Sequence, residues 1–140
     1  MKKGIDYIGV SVAFRCHDGK GNYVMHRRNV NCRDEHGCWD FGGGGLKFGE
    51  TIADGLSREV KEEYGADIVS LESLGHREVF REHDGVSTHW ISFAFKVLVD
   101  PEQVVNNEPD KHDEIGWFTA DSLPTPLHSQ LLKNLKINPL

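Results

Sequence analysis

Glu50, Glu59, Glu62 and Glu63, with Arg58 and a set of glycines, fall at fixed spacing in Gly44-Gly45-Leu46-Lys47-Phe48-Gly49-Glu50 and Arg58-Glu59-Val60-Lys61-Glu62-Glu63-Tyr64-Gly65-Ala66. Carboxylates grouped this way are hard oxygen donors, the ligands that Mg²⁺ and Mn²⁺ take when they bridge a protein to a phosphate chain. Hydrolysis of a phosphoanhydride needs a positioned water, neutral surroundings for the phosphate oxygens and a base. Bound metal can supply most of the first two.

These groups need a helix to hold them. Thr51 is a fitting N-cap with Asp54 as its capping-box partner, and Gly65 is a fitting stop. Within such a helix Glu59, Glu62 and Glu63 stand at i, i+3 and i+4 and share one face, beside an apolar stripe of Ile52, Leu56 and Val60. An Arg-Glu-Val-Lys-Glu-Glu-Tyr-Gly run can equally be a solvated helix face. Gly44, Glu50 and Gly65 at their distances from it favour the chemical reading. The glycines of residues 42–49, Gly43 and Gly44 among them, would let backbone approach a ligand closely.

Gly44, Glu50, Arg58, Glu59, Val60, Glu62, Glu63, Gly65 and Ala66 fill every defined position of the Nudix box. A chance match to its polar and glycine positions in such a chain is on the order of one in a million, given average residue usage. The chain therefore resembles the Nudix hydrolases, which act on nucleoside diphosphates linked to another group. The box covers residues 44–66, and the order of elements around it resembles the family over nearly the whole chain. The resemblance implies an α/β (α+β) fold, a mixed β-sheet sandwiched between α-helices. It also implies metal ligation by Glu59, Glu62 and Glu63 with the backbone carbonyl of Gly43, by Mg²⁺ with Mn²⁺ as a substitute. Arg58 is similar to the arginine that orients the box glutamates, and Glu50 to the residue that braces loop and helix. Relatives differ in which residue takes the proton from water, and Glu59 is preferred here. Glu114 resembles the carboxylate outside the box that some relatives use as ligand or base. Gly42 and Lys47 depart from the common proline and acidic residue, at positions the box does not define.

Composition sets the frame. The chain has 140 residues, 38% of them hydrophobic, and no apolar run long enough to span a bilayer, so one soluble domain over residues 1–140 is expected. Asp6 breaks what would otherwise follow Lys2-Lys3 as a secretory leader, so a cytoplasmic protein is the default. A net charge of −6 and a pI near 5.7 argue against broad binding to nucleic acid. A small nucleotide substrate is compatible, because bound metal reverses the local sign. Cys16, Cys32 and Cys38 are an odd number with no CxxC pair, which favours reduced thiols over a disulfide framework. His26, Cys32, His36 and Cys38 match no standard zinc spacing.

Along the chain, residues 5–15 and 23–28 read as a hairpin turned at Asp18-Gly19-Lys20-Gly21-Asn22. Residues 29–37 are irregular, 39–41 a short strand and 42–49 a glycine-rich loop. Strands follow at 68–74, 77–82, 88–99 and 114–119, with a polar loop at 100–112. Pro124 and Pro126 precede a terminal helix over 127–135, with Leu127, Leu131, Leu132 and Leu135 as its buried side. Arg27 or Arg28 ends the second strand within reach of a substrate phosphate, and period-two alternation turns only one of them, here Arg28, toward the site. Trp39, Trp90 and Trp117 lie in strand patterns where packing is commoner than base stacking.

The favoured activity is that of a MutT-like nucleoside triphosphate pyrophosphatase, suggested by the resemblance of Glu108-Pro109-Asp110-Lys111, Glu114, Trp117-Phe118 and Leu123-Pro124. An ADP-ribose or nucleotide-sugar pyrophosphatase is the alternative, since the box positions only the diphosphate. A nucleotide-sensing module without turnover and an enzyme acting on capped RNA rank lower. No membrane partner is expected, and a homodimer is compatible with this chain size and family.

Overall fold

The computed structural model describes all of residues 1–140. The elements run β1 (Gly9–His17), β2 (Tyr23–Arg28), β3 (Trp39–Asp40), β4 (Gly42–Gly45), α1 (Ile52–Tyr64), β5 (Ile68–His83), β6 (Val86–Val99), a 3₁₀ turn (Pro101–Gln103), β7 (His112–Phe118) and α2 (Ser129–Ile137). The seven strands form one mixed sheet in the order β3-β2-β1-β6-β5, with β4 added to β1 and β7 to β2. β1 and β6 are parallel, from Gly9 beside Trp90 to His17 beside Leu98. β1 and β2 meet at His17 and Tyr23 and then part. Beyond that point β1 takes β4, while β2 takes β3 and β7.

Strand alternation sorts the apolar residues onto two faces. Val12, Phe14 and Cys16 of β1 and Val24 of β2 pack with Leu56, Val60 and Tyr64 of α1. Tyr23, Met25, Trp39 and Phe41 pack instead with Leu131 of α2. The sheet thus lies between two helices, as the α+β expectation required. No helix is long and apolar enough to cross a membrane.

Four departures from the sequence reading have physical causes. β1 starts at Gly9, not at residue 5, because residues 2–7 close on themselves as a turn, with the Gly4 N–H on the Tyr7 carbonyl at 2.7 Å and the Asp6 N–H on the Lys2 carbonyl at 2.9 Å. Gly42–Gly45 is a strand, not a loop: its backbone pairs with Ser11 to Phe14, although glycine has little strand preference of its own. The two segments at 68–74 and 77–82 are one strand, since Gly75, at φ 87°, sits in a register shift between Ser73 and His76 that the strand runs through. α2 starts at Ser129 because His128 caps it, its Nδ1 accepting from the Gln130 N–H at 3.0 Å.

Candidate active site

α1 begins and ends where local chemistry dictates. Thr51 Oγ1 accepts from the Asp54 N–H at 3.1 Å, and Gly65 closes the helix at φ 69° with its N–H on the Lys61 carbonyl. With Leu56, Val60 and Tyr64 fully buried, the helix is held in one rotation that places Glu59 and Glu63 inside and leaves Glu62 half-exposed.

Arg58 ties this face to the preceding turn. Its Nε and Nη2 grip Glu50 at 2.7 and 3.0 Å, and Nη2 also donates to the Gly45 carbonyl at 3.0 Å. Nη1 reaches Glu59 at 2.8 Å and Glu62 at 3.2 Å. β4 passes directly over the same carboxylates. A Cβ on Gly44 would overlap the Glu59 carboxyl, one on Gly42 would strike Phe14 and Glu63, and the Gly43 N–H donates to Glu63 Oε2 at 3.1 Å. The glycine run is therefore what lets backbone lie against the glutamates.

The electrostatics of the cluster are unbalanced. Burial, then the neighbouring charges of Glu59 and Glu108, push Glu63 well above the usual carboxylate range. Burial also raises Glu59, with Arg58 opposing. Glu50 moves the other way, to about 2, chiefly through its hydrogen bonds from Arg58. Converging carboxylates that are short of positive charge and lie under close-packed backbone are a donor set suited to a hard divalent cation. Glu59, Glu62, Glu63 and Gly43 all line a cleft of about 730 Å³, large enough for a nucleotide.

A family model for the NUDIX domain matches residues 8–136. The chain belongs to the NUDIX family of hydrolases. It is 37% identical over 135 residues to the 8-oxo-dGDP phosphatase NUDT18 of Mus musculus, which covers 92% of this chain and 37% of that protein. It is 32% identical over 96 residues to the nucleoside triphosphatase NudI of Enterobacter sp. (strain 638), covering 64% of this chain and 67% of that one. The Nudix chain thus spans little more than a third of the NUDT18 length. Among solved structures, the MutT NUDIX hydrolase from Burkholderia pseudomallei superposes with a TM-score of 0.80 at 25% identity, over 93% of this chain and 97% of that one.

The structure distributes the other candidate residues of this Nudix domain unevenly. Glu114 is not brought to the cleft: it lies outward on β7, half-exposed, paired with Arg27 Nη1 at 3.1 Å. Glu108 lines the cleft instead, close enough to Glu59 and Glu63 to push both upward. The loop after the 3₁₀ turn carries it there, because the Val105 N–H bonds the Tyr64 carbonyl at 3.0 Å and the Asn107 N–H the Glu63 carbonyl at 3.1 Å. No spacing in the sequence signals that return. Arg28 does line the cleft, yet its guanidinium is engaged by Asp34 through Nε and Nη2, both at 3.1 Å.

Asp34 and Glu35 close a second charged cluster. Arg81 Nη2 lies 3.0 Å from Asp34 and 3.1 Å from Glu35, while Ser129 and His128 of the α2 start also hold Glu35. Both carboxyls are held below their usual range: neighbouring arginines overcome burial at Asp34, and the Ser129 and His128 contacts do so at Glu35. This cluster fixes the 29–38 loop to β5 and α2.

His26 and His112 form a site pair that no spacing in the sequence signals. They stack with ring centres 3.7 Å apart beside Glu63, and both line the cleft. Burial keeps them neutral, His26 well below its usual value and His112 at about 4. Of the other residues grouped with His26 in the sequence, Cys32 donates to the Lys111 carbonyl and His36 bonds the Cys32 carbonyl. Of the tryptophans, Trp90 lines the cleft, Trp39 packs against Phe118 and Trp117 is part-exposed.

Proposed function

We propose that residues 1–140 act as a single Nudix domain that hydrolyses a phosphoanhydride bond of a nucleoside triphosphate with Mg²⁺, releasing the monophosphate and pyrophosphate. The observation that carries this reading is the pair of buried glutamates, Glu59 and Glu63, raised above their usual range in a nucleotide-sized cleft. A carboxylate in that condition is stabilised by a cation, and the surrounding oxygens are those a hard divalent ion takes.

Each residue has a role in the proposal. Glu59, Glu62 and Glu63, with the Gly43 carbonyl, hold Mg²⁺, for which Mn²⁺ can substitute. When bound, the ion neutralises phosphate oxygens and lowers the pKa of a water. Arg58 positions Glu59 and Glu62 while Glu50 holds Arg58 in place. Gly43 and Gly44 let the phosphate chain approach the backbone. Glu59, the base preferred on sequence grounds, has Oε1 taken by Arg58 at 2.8 Å and is itself one of the metal ligands of this reading. Glu108 has only Lys111, at 3.8 Å, as a cation partner. We therefore assign proton removal from water to Glu108.

The similarity to a protein named for 8-oxo-dGDP supports a second reading, in which a purine nucleoside diphosphate is the substrate. A cytoplasmic setting, with Cys16, Cys32 and Cys38 as free thiols, belongs to the same proposal.

The test is mass spectrometry of products after incubation with Mg²⁺ and canonical or oxidised nucleoside di- and triphosphates, ADP-ribose, NADH, dinucleoside polyphosphates and nucleotide sugars. Monophosphate plus pyrophosphate from a triphosphate is expected, and monophosphate plus phosphate from a diphosphate marks the second reading. AMP and ribose phosphate from ADP-ribose alone would replace both. Silence across the panel with Mg²⁺ and with Mn²⁺ would overturn hydrolysis itself.

A further inference from the structure

Two clusters of ligating side chains include residues beyond the box, and only one has a vacancy in its bonding. Asp34, Glu35 and His128 bring their ligand atoms within 4.8 Å of one another, but Arg28, Arg81 and Ser129 already satisfy them. His26, Glu63 and His112 also converge within 4.8 Å, all three buried. Here the bonding is incomplete. His26 Nδ1 sits 2.8 Å from the Tyr64 hydroxyl, whereas His112 Nδ1 is buried with no hydrogen-bond partner, on a residue only 4% exposed. A buried imidazole nitrogen left without a partner is uncommon and costly, which is the condition that a ligand relieves.

Stacking decides which ring can ligate. An imidazole lone pair lies in the ring plane, and these rings lie 13° from parallel at 3.7 Å, so both cannot aim at one ion. Tyr64, on α1, holds His26 in place, and His26 presents a flat face that fixes the His112 ring. The backbone fixes His112 as well: its N–H bonds the Glu108 carbonyl at 3.0 Å, and the Asn106 side chain bonds its carbonyl at 2.9 Å.

We propose that His112 supplies an imidazole nitrogen to a divalent transition-metal ion held with Glu63, and that His26 is the positioning residue behind it. This rests on the reading that Glu63 carries metal. One neutral nitrogen beside carboxylate oxygens favours Mn²⁺, Co²⁺ or Zn²⁺ over Mg²⁺, which takes oxygen almost exclusively. The domain therefore uses Mg²⁺ when that is what it is given and binds Mn²⁺ more tightly through the extra ligand.

The probe is Mn²⁺ alone, added to the full chain and followed by electron paramagnetic resonance. Continuous-wave spectra count free ion, and pulsed spectra detect a directly bonded ¹⁴N nucleus. The expected result is ¹⁴N modulation in the unmodified protein, lost in His112→Gln. Mn²⁺ affinity in that variant falls about tenfold or more, while Mg²⁺ affinity, read by competition, shifts less than about threefold. The unmodified spectrum needs no variant to fold. Mn²⁺ bound in a Glu63-dependent way without ¹⁴N coupling, or coupling that survives His112→Gln, would overturn this inference and leave the hydrolase reading standing. No bound Mn²⁺ at all would bring down both.

Discussion

Glu59, Glu63 and Glu108 lie close enough to raise one another, and of the three only Glu59 meets the Arg58 guanidinium, whereas Asp34 and Glu35 sit between Arg28 and Arg81 with His128 and Ser129 completing their hydrogen bonds. The first cluster holds Glu59 and Glu63 above their usual range, and the second holds its two carboxyls below it. Carboxylates whose charge is already matched have nothing left to bind, so the 29–38 cluster works as a fastening. Carboxylates left unmatched inside a cleft cost stability until a cation arrives, and that deficit is what a metal-dependent site requires. The same side-chain type thus serves opposite ends, according to how many positive partners the fold brings within reach.

If the deficit is the basis of function, removing Glu63 has the largest effect on turnover and the least on folding. Glu63→Gln keeps the shape and an oxygen for the Gly43 N–H. It is expected to lower kcat/KM by about 100-fold or more, roughly 2.7 kcal/mol of barrier, while the melting temperature in EDTA holds or rises. A fall of less than about tenfold would undo the metal-ligand assignment. The next comparison separates two carboxylates of one region. Glu108→Gln should cut kcat by about 10- to 100-fold, the scale of general acid–base catalysis, and Glu114→Gln should stay within about twofold. Equal losses would return Glu114 to the site.

On the balanced side the effects are smaller and reversed in kind. Asp34→Asn removes the negative charge and turns an amide nitrogen toward Arg28 or Arg81, and should lower stability by about 1 kcal/mol in denaturant titrations, with kcat within about threefold. A large kcat loss at unchanged stability would make the cluster part of the chemistry. The smallest effect is in the pH dependence of the metal-free protein. Glu59 and Glu63 bind protons more tightly folded than unfolded, so their contribution is fully present below about 4.3 and is lost as pH rises through their raised values. Asp34 and Glu35 have depressed values, so theirs is present above about 4.3 and lost as pH falls. Melting temperatures in EDTA from pH 3 to 8 should therefore decline less toward high pH in Glu63→Gln, where only Glu59 remains raised. Asp34→Asn should soften the acid side. A Glu63→Gln curve parallel to the unmodified one would contradict the inferred deficit.

What could be read from the sequence was what is local. Thr51, Gly65 and the stripe through Leu56 and Val60 define α1 within a few residues of themselves, and the Glu59, Glu62, Glu63 and Arg58 placements follow from helix periodicity. Residues set by long-range partners were harder. Glu108 reaches the cleft only because Val105 and Asn107 bond the end of α1, and no pattern in residues 100–112 encodes that return. His26 and His112 meet through the β2–β7 pairing, shifted by an irregularity between Arg27 and Arg28. β4 reads as a loop in sequence because its four glycines carry no strand preference; the β1 backbone and the bulk of Phe14 and Glu59 impose both the pairing and the glycines.

The most direct test of the central claim is to follow pyrophosphate release from a nucleoside triphosphate panel by the unmodified protein and by Glu63→Gln, in Mg²⁺ and in EDTA. The account predicts release in Mg²⁺ that EDTA abolishes and Glu63→Gln nearly abolishes. Release at the same rate in EDTA, or by Glu63→Gln in Mg²⁺, would contradict it.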